Sequence, residues 1–120
     1  MNIFFIVVLV LNLLTEGLAA IALISGPQGI PGLGQIEGGM WSMNYGFAAI
    51  AIASAIIWIW PYRENLGAVS AVLGILLTFH TCIFIALAMA GDQIPGTVAH
   101  AIMTTLCLIL FTQRSKWCTH

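Results

Sequence analysis

Glu16, His80 and His100 carry the clearest chemistry in this 120-residue sequence, because each lies within a long apolar run. On insertion scales a charged side chain at the centre of a membrane helix costs about 2.5–3.5 kcal/mol, so each of the three needs a reason to be there. Asn12 stands four residues before Glu16 and so shares its helical face. Thr97, His100, Thr104 and Cys107 form another polar stripe at helical spacing, Thr78, His80 and Thr81 add hydrogen-bonding capacity, and Asn44 opens a further apolar run. Burial disfavours a carboxylate while a nearby imidazolium favours it, so a Glu–His pair could exchange a proton near physiological pH. That chemistry suits proton-coupled transport. One carboxylate and two imidazoles are also a metal ligand set, and two histidines on facing helices can ligate a haem iron. The same residues could line a pocket for a small molecule or lipid, or lock a bundle by hydrogen-bonding one another without binding anything.

The elements that hold these residues follow from composition. The chain is 61% hydrophobic and 6% charged, with mean hydropathy +1.07, against about 25% charged residues in ordinary soluble domains. A chain this short has too little interior to hide so many apolar side chains, which points to lipid. Net charge of −1 excludes the clustered Lys and Arg that nucleic acid demands. Four apolar segments, Ile3–Ile24, Met40–Trp60, Leu66–Ala90 and Gly96–Thr112, each approach the roughly 20 residues needed to cross hydrocarbon. The prediction is a single domain over 1–120, an all-α, antiparallel membrane bundle of four helices. The apolar first segment lacks a basic preceding region and reads as a retained helix.

Residues 25–39 are rich in glycine and proline and read as an irregular extramembrane loop, with Ile30 and Leu33 as candidates for interfacial contact. This loop lacks the GxGxxG spacing of a phosphate cradle, and no nucleophile–base constellation occurs elsewhere, so no catalytic residue is assigned. The breaks at Pro61–Asn65 and Gly91–Pro95 are short enough to force hairpins. Arg63, Arg114 and Lys116 all fall on one side of this arrangement, and the positive-inside rule then predicts both termini in the cytoplasm (N-in, C-in) and the glycine-rich loop outside. Trp41, Trp58, Trp60, Tyr62 and Trp117 lie near span ends, where interfacial aromatics belong. Ala48, Ala51 and Ala55, with Gly67, Ser70 or Ala71, and Gly74, form small-residue stripes for close packing, within the monomer or at a dimer seam. Cys82 and Cys107 read as small apolar packers, and Cys118 as a candidate for palmitoylation at the cytoplasmic surface.

Counting about 1.5 Å per residue from the outer span ends puts Glu16 roughly 12 Å deep, His80 roughly 15 Å, and His100 and Asn44 roughly 6 Å each. The expectation is a polar pocket in the outer half of the bundle, opening outward, built on Glu16, His80, His100, Asn12, Asn44 and Thr104. The offset of roughly 9 Å between the two histidines speaks against a shared metal or haem.

The first span with its Thr15-Glu16-Gly17, the Pro/Gly loop, Trp41-Ser-Met-Asn-Tyr-Gly-Phe-Ala48, the Pro61-Tyr-Arg63 turn, Phe79-His80 and His100-Ala101 together resemble the DoxX-like superfamily of small four-helix membrane proteins. That resemblance covers most of the chain and implies the four-helix architecture more than an activity; some members are linked to sulfur or quinone redox systems and others act as accessory subunits or assembly factors. The small multidrug-resistance transporters are similar in length and helix count and carry one essential Glu in the first helix, where Glu16 stands. Here the residue before it is Thr15 rather than the usual Ala, the lysine near the end of helix one is absent, and helix two lacks the Pro-x-Gly-x-Ala-Tyr-Ala-x-Trp motif.

Overall fold

Backbone amides have no partner in hydrocarbon, so apolar runs of this length close their hydrogen bonds within helices. The computed structural model describes residues 2–25 and 40–119, apart from the side chains of Ser25, Met40 and Trp41. The expected loop over 25–39 is corrected at its first residue, since Ser25 ends α1; the rest of it, 26–39 with Ile30 and Leu33, the interfacial side chain of Trp41, and His120 lie outside the described residues. The described chain is all-helical: α1 (Asn2–Ser25), α2 (Met40–Ala53), α3 (Ala55–Ile59), α4 (Leu66–Ala90) and α5 (Ile94–Gln113), with 3-10 turns at Trp60–Tyr62 and Arg114–Lys116. Among the described residues four stretches are long and apolar enough to cross a membrane: Asn2–Ile24, Ser42–Tyr62, Leu66–Ala90 and Ile94–Lys116.

The expected second span is thus two helices in sequence. At Ser54 the side-chain hydroxyl bonds back to the Ala51 carbonyl at 2.7 Å and accepts from the Trp58 indole at 3.1 Å. The Ile57 amide bonds to the Ser54 carbonyl three residues back, so the coil tightens there. The fourth span begins earlier than expected. Pro95 occupies its first turn, where a missing N–H costs nothing, so only residues 91–93 form the connection. Gly91 ends α4 in the left-handed region at φ +77°, its amide returning to the Leu87 carbonyl, and Asn65 starts α4 by accepting from the Ala68 amide at 2.9 Å.

Each helix buries one stripe: Phe5, Val8, Leu9, Asn12, Glu16, Ala20 and Leu23 on α1; Ser42, Gly46, Ala49 and Ala53 on α2; Val69, Leu73, Leu76 and His80 on α4; His100, Met103, Cys107 and Leu110 on α5. Apart from the adjacent Val8 and Leu9, the steps are three and four residues, the helical repeat. The outward faces carry Leu18, Ile21, Trp58, Ile75, Met89 and Ile94, all mostly exposed, a surface suited to lipid and not to water. The expected small-residue stripe on the second span is corrected. Ala48 and Ala51 face outward, and the face turned to α1 is the neighbouring one through Gly46, Ala49 and Ala53. Gly46 decides this, because a Cβ there would stand 2.7 Å from Ile24 Cγ1, 3.1 Å from Leu23 Cβ and 3.2 Å from the Ala20 carbonyl oxygen.

That contact joins the end of α1 to the start of α2, so the two run antiparallel; α4 and α5 form the second antiparallel pair. At the opposite end Phe5 packs against Trp117, ring centroids 5.9 Å apart. The chain end is also clasped to the α3–α4 turn. The Leu66 amide donates to the Thr119 carbonyl at 3.0 Å and the Thr119 amide donates to Glu64 O at 2.6 Å. Arg114 donates to Ser70 Oγ at 2.6 Å and covers the Phe111 ring. One end of the bundle therefore gathers the start of α1, the α3–α4 turn, the chain end, and Arg63, Arg114 and Lys116.

Candidate functional site

Three of the buried stripes, on α1, α4 and α5, turn from apolar to polar at the same level. Over the lower half they supply Phe5, Val8, Leu9, Val69, Leu73, Met103, Cys107 and Leu110 to one apolar core. One or two turns further on, the same faces present Asn12, Glu16, His80 and His100. Because these residues continue the inward face of their helices, packing the core carries them inward.

They meet directly. Asn12 Nδ2 donates to the Ile52 carbonyl at 2.9 Å, just before the break at Ser54. Asn12 Oδ1 lies 3.0 Å from His80 Nε2, and His80 Nδ1 lies 2.9 Å from His100 Nδ1. Glu16 Oε1 stands 3.7 Å from His80 Nδ1 and 3.8 Å from His100 Nδ1, beyond hydrogen-bonding distance of either. Asn12, Glu16 and His80 are fully buried and His100 is 6% exposed. Glu16 is the anomaly: among the described residues neither of its carboxyl oxygens has a hydrogen-bond partner.

Hydrogen-bond bookkeeping fixes the roles. With its amide NH2 given to Ile52, Asn12 offers His80 an oxygen, which can only accept. His80 Nε2 is therefore the donor, and in the neutral ring the lone pair sits on Nδ1, the atom nearest Glu16 and His100. A chain of contacts thus links α2, α1, α4 and α5 through one imidazole.

Aromatic rings cover this centre. Phe79 meets the His80 ring edge-on at 5.3 Å and the His100 ring at 6.1 Å, and Tyr45 stacks on Phe79 at 6.5 Å and 11°. The Tyr45 hydroxyl and Thr104 Oγ1 are further buried polar atoms without a hydrogen-bond partner among the described residues. Tyr45 and Phe79 are the site residues that spacing did not single out. Asn44, one position from Tyr45, is the more polar of the two and drew the assignment instead.

Several expectations are corrected here. Asn44 is exposed and does not join the cluster, because the approach at Gly46 turns the 42–46–49–53 face inward and Asn44 away from it. Thr81 and Thr97 spend their hydroxyls on their own helices, at Leu77 O and Gln93 O. Among the described residues Asn12, Glu16, His80 and His100 form a buried cluster whose members face one another. An open apolar groove of about 280 Å3, lined by Ala101, Ile102, Thr105 and Leu106, contains none of them. The expected offset between His80 and His100 also disappears. A Cβ on Gly96 would lie 3.1 Å from Leu87 Cδ1, so Gly96, the expected start of the fourth span, sits about 4.5 Å below the end of α4 at about 1.5 Å per residue, and counting from the segment ends exaggerated the separation. Haem ligation by the two rings is excluded, because nitrogens 2.9 Å apart leave no space for a porphyrin between them.

No protein-family model, no curated protein and no solved structure matches the chain.

Proposed function

We propose that this chain is an integral protein of the plasma or inner membrane, with both termini cytoplasmic, whose interior holds a binding centre for one small ligand of ionic size. The carrying observation is Glu16: a carboxyl group sealed among four helices, facing two imidazole nitrogens, with both oxygens unpaired among the described residues. A carboxyl group kept only to lock the bundle would spend its oxygens on donors, since leaving a buried polar group unpaired costs about 1–3 kcal/mol. A group held ready for a ligand bears that cost until the ligand arrives.

The orientation rests on Arg63, Arg114 and Lys116 sharing one end of the bundle. The resemblance to DoxX-like proteins supports an accessory role in a larger membrane complex or a homo-oligomer. Ala48 and Ala51, left outward, give a neighbouring helix a close approach. A second reading, proton-coupled transport through Glu16, draws on the carboxyl facing two imidazole nitrogens at 3.7 and 3.8 Å, a gap that a small side-chain rotation closes to the hydrogen-bonding distance proton transfer requires.

Thermal unfolding of the chelator-treated protein in detergent separates a centre from a lock. Glu16→Met, near in shape and free of polar oxygens, raises Tm by several degrees if the carboxyl is unpaired and waiting for a ligand. A fall in Tm identifies a structural lock and overturns the proposal. Co-purification with a stable partner in mild detergent tests the accessory role, and loss of proton-linked flux in Glu16→Gln proteoliposomes tests transport.

A further inference from the structure

We propose that Glu16, His80 and His100 are the protein ligands of one divalent first-row transition-metal ion. The assignment rests on the binding-centre reading and names its ligand. Glu16 Oε1, His80 Nδ1 and His100 Nδ1 form a triangle with sides of 2.9, 3.7 and 3.8 Å, and the point equidistant from its corners lies inside it, about 2.0 Å from each. That radius matches zinc–imidazole and zinc–carboxylate bonds of about 2.0–2.2 Å. An ion raised slightly from the plane keeps those lengths and gains a fourth, open position, the pattern of three-ligand sites that bind an exchangeable group.

Hydrogen-bond counting agrees independently. Asn12 fixes the His80 proton on Nε2 and so turns a lone pair at Nδ1 towards the triangle. A carboxylate, carbonyl or amide oxygen that accepts the remote N–H is the usual support of a metal-bound imidazole. Without an ion, His100 Nδ1–H can satisfy His80 Nδ1, but the fully buried Glu16 then gains nothing, ionised or protonated, at 3.7 and 3.8 Å. An ion satisfies all three atoms together. Two nitrogens and one oxygen favour Zn, Fe, Co, Ni or Cu over the oxygen-seeking Mg and Ca. One carboxylate offsets one of the two positive charges, so the open position suits an anionic ligand.

The test uses the full chain in mild detergent, any tag removed and metal stripped by chelator, titrated with Zn2+ alone and with Co2+ alone. The expected result is one equivalent bound, with Co2+ giving the intense visible bands of low coordination number. Asn12→Ala weakens binding by about 10–100-fold, as loss of an orienting partner does. Glu16→Gln, His80→Ala and His100→Ala weaken it further, whereas His120→Ala, which removes the third histidine of the chain, changes nothing. Far-UV circular dichroism follows the fold; Glu16→Gln, closest in shape to wild type, decides should a histidine variant lose helicity. Failure to bind either ion stoichiometrically, or equal binding by wild type and Glu16→Gln, overturns the assignment. If neither ion binds but Glu16→Met still raises Tm, the centre stands and takes another ligand. If Glu16→Met lowers Tm, both proposals fall.

Discussion

Asn12 Oδ1 and His80 Nε2 stand 3.0 Å apart, and because the Asn12 amide nitrogen is committed to the Ile52 carbonyl, this one contact determines which nitrogen of His80 faces Glu16 with a lone pair. Asn12 thus connects a helix break to a candidate ligand. It lies on the first span, the carbonyl it holds on the second, and the ring it orients on the third.

Replacing Asn12 by Leu therefore leaves the half-buried Ile52 carbonyl and the buried His80 N–H without the partner that Asn12 supplies. Each loss is worth about 1–3 kcal/mol. A Tm several degrees below wild type in detergent, even without metal, is the expected outcome. An unchanged Tm would show that the amide orients nothing.

Two glycines of similar appearance in the sequence are expected to respond oppositely. Gly46→Ala forces its methyl against Ile24, Leu23 and the Ala20 carbonyl, and overpacking of this kind costs about 1–3 kcal/mol. A Cβ at Gly17 meets nothing within 4 Å, so Gly17→Ala gains up to about 1 kcal/mol from helix propensity. Thermal unfolding of the two variants checks both signs.

The contact between Phe5 and Trp117 ties the first span to the chain end. A double-mutant cycle with Phe5→Leu and Trp117→Leu should return a coupling of about 0.5–1.5 kcal/mol in the unfolding free energy. Additive effects would show that the two rings contribute independently.

Cys118 offers a test of orientation. Burial pushes its thiol up from the ordinary value, the Arg114 guanidinium pulls it back, and Glu64 adds to the rise. Because the thiolate is the reactive form, labelling is slow at neutral pH and accelerates as pH rises. In a Cys82→Ala background, a membrane-impermeant maleimide should label Cys118 in inverted vesicles and not in intact cells. The reverse pattern would place the chain end outside.

Sequence alone determined the number of apolar spans and the ends of the third span, because an apolar run such as Leu66–Ala90, with Asn65 to cap its start and Gly91 to end it in the left-handed region, closes its backbone hydrogen bonds within one helix. It also marked Glu16, His80 and His100, since ionisable groups in apolar runs stand out against their surroundings. It did not determine which face of each helix turns inward. The second span reads as apolar all round, and only the contact of Gly46 with the end of α1 chooses between the face of Asn44 and that of Ala49. Nor could residue counting give the level at which helices meet, because depth counted from segment ends assumes that neighbouring spans start together, whereas Gly96 packs beside Leu87. The carboxyl and the two imidazoles were therefore legible as separate residues. Their arrangement as a triangle of metal-ligand dimensions was decided by tertiary packing, which sets helix rotation and stagger to fractions of a turn.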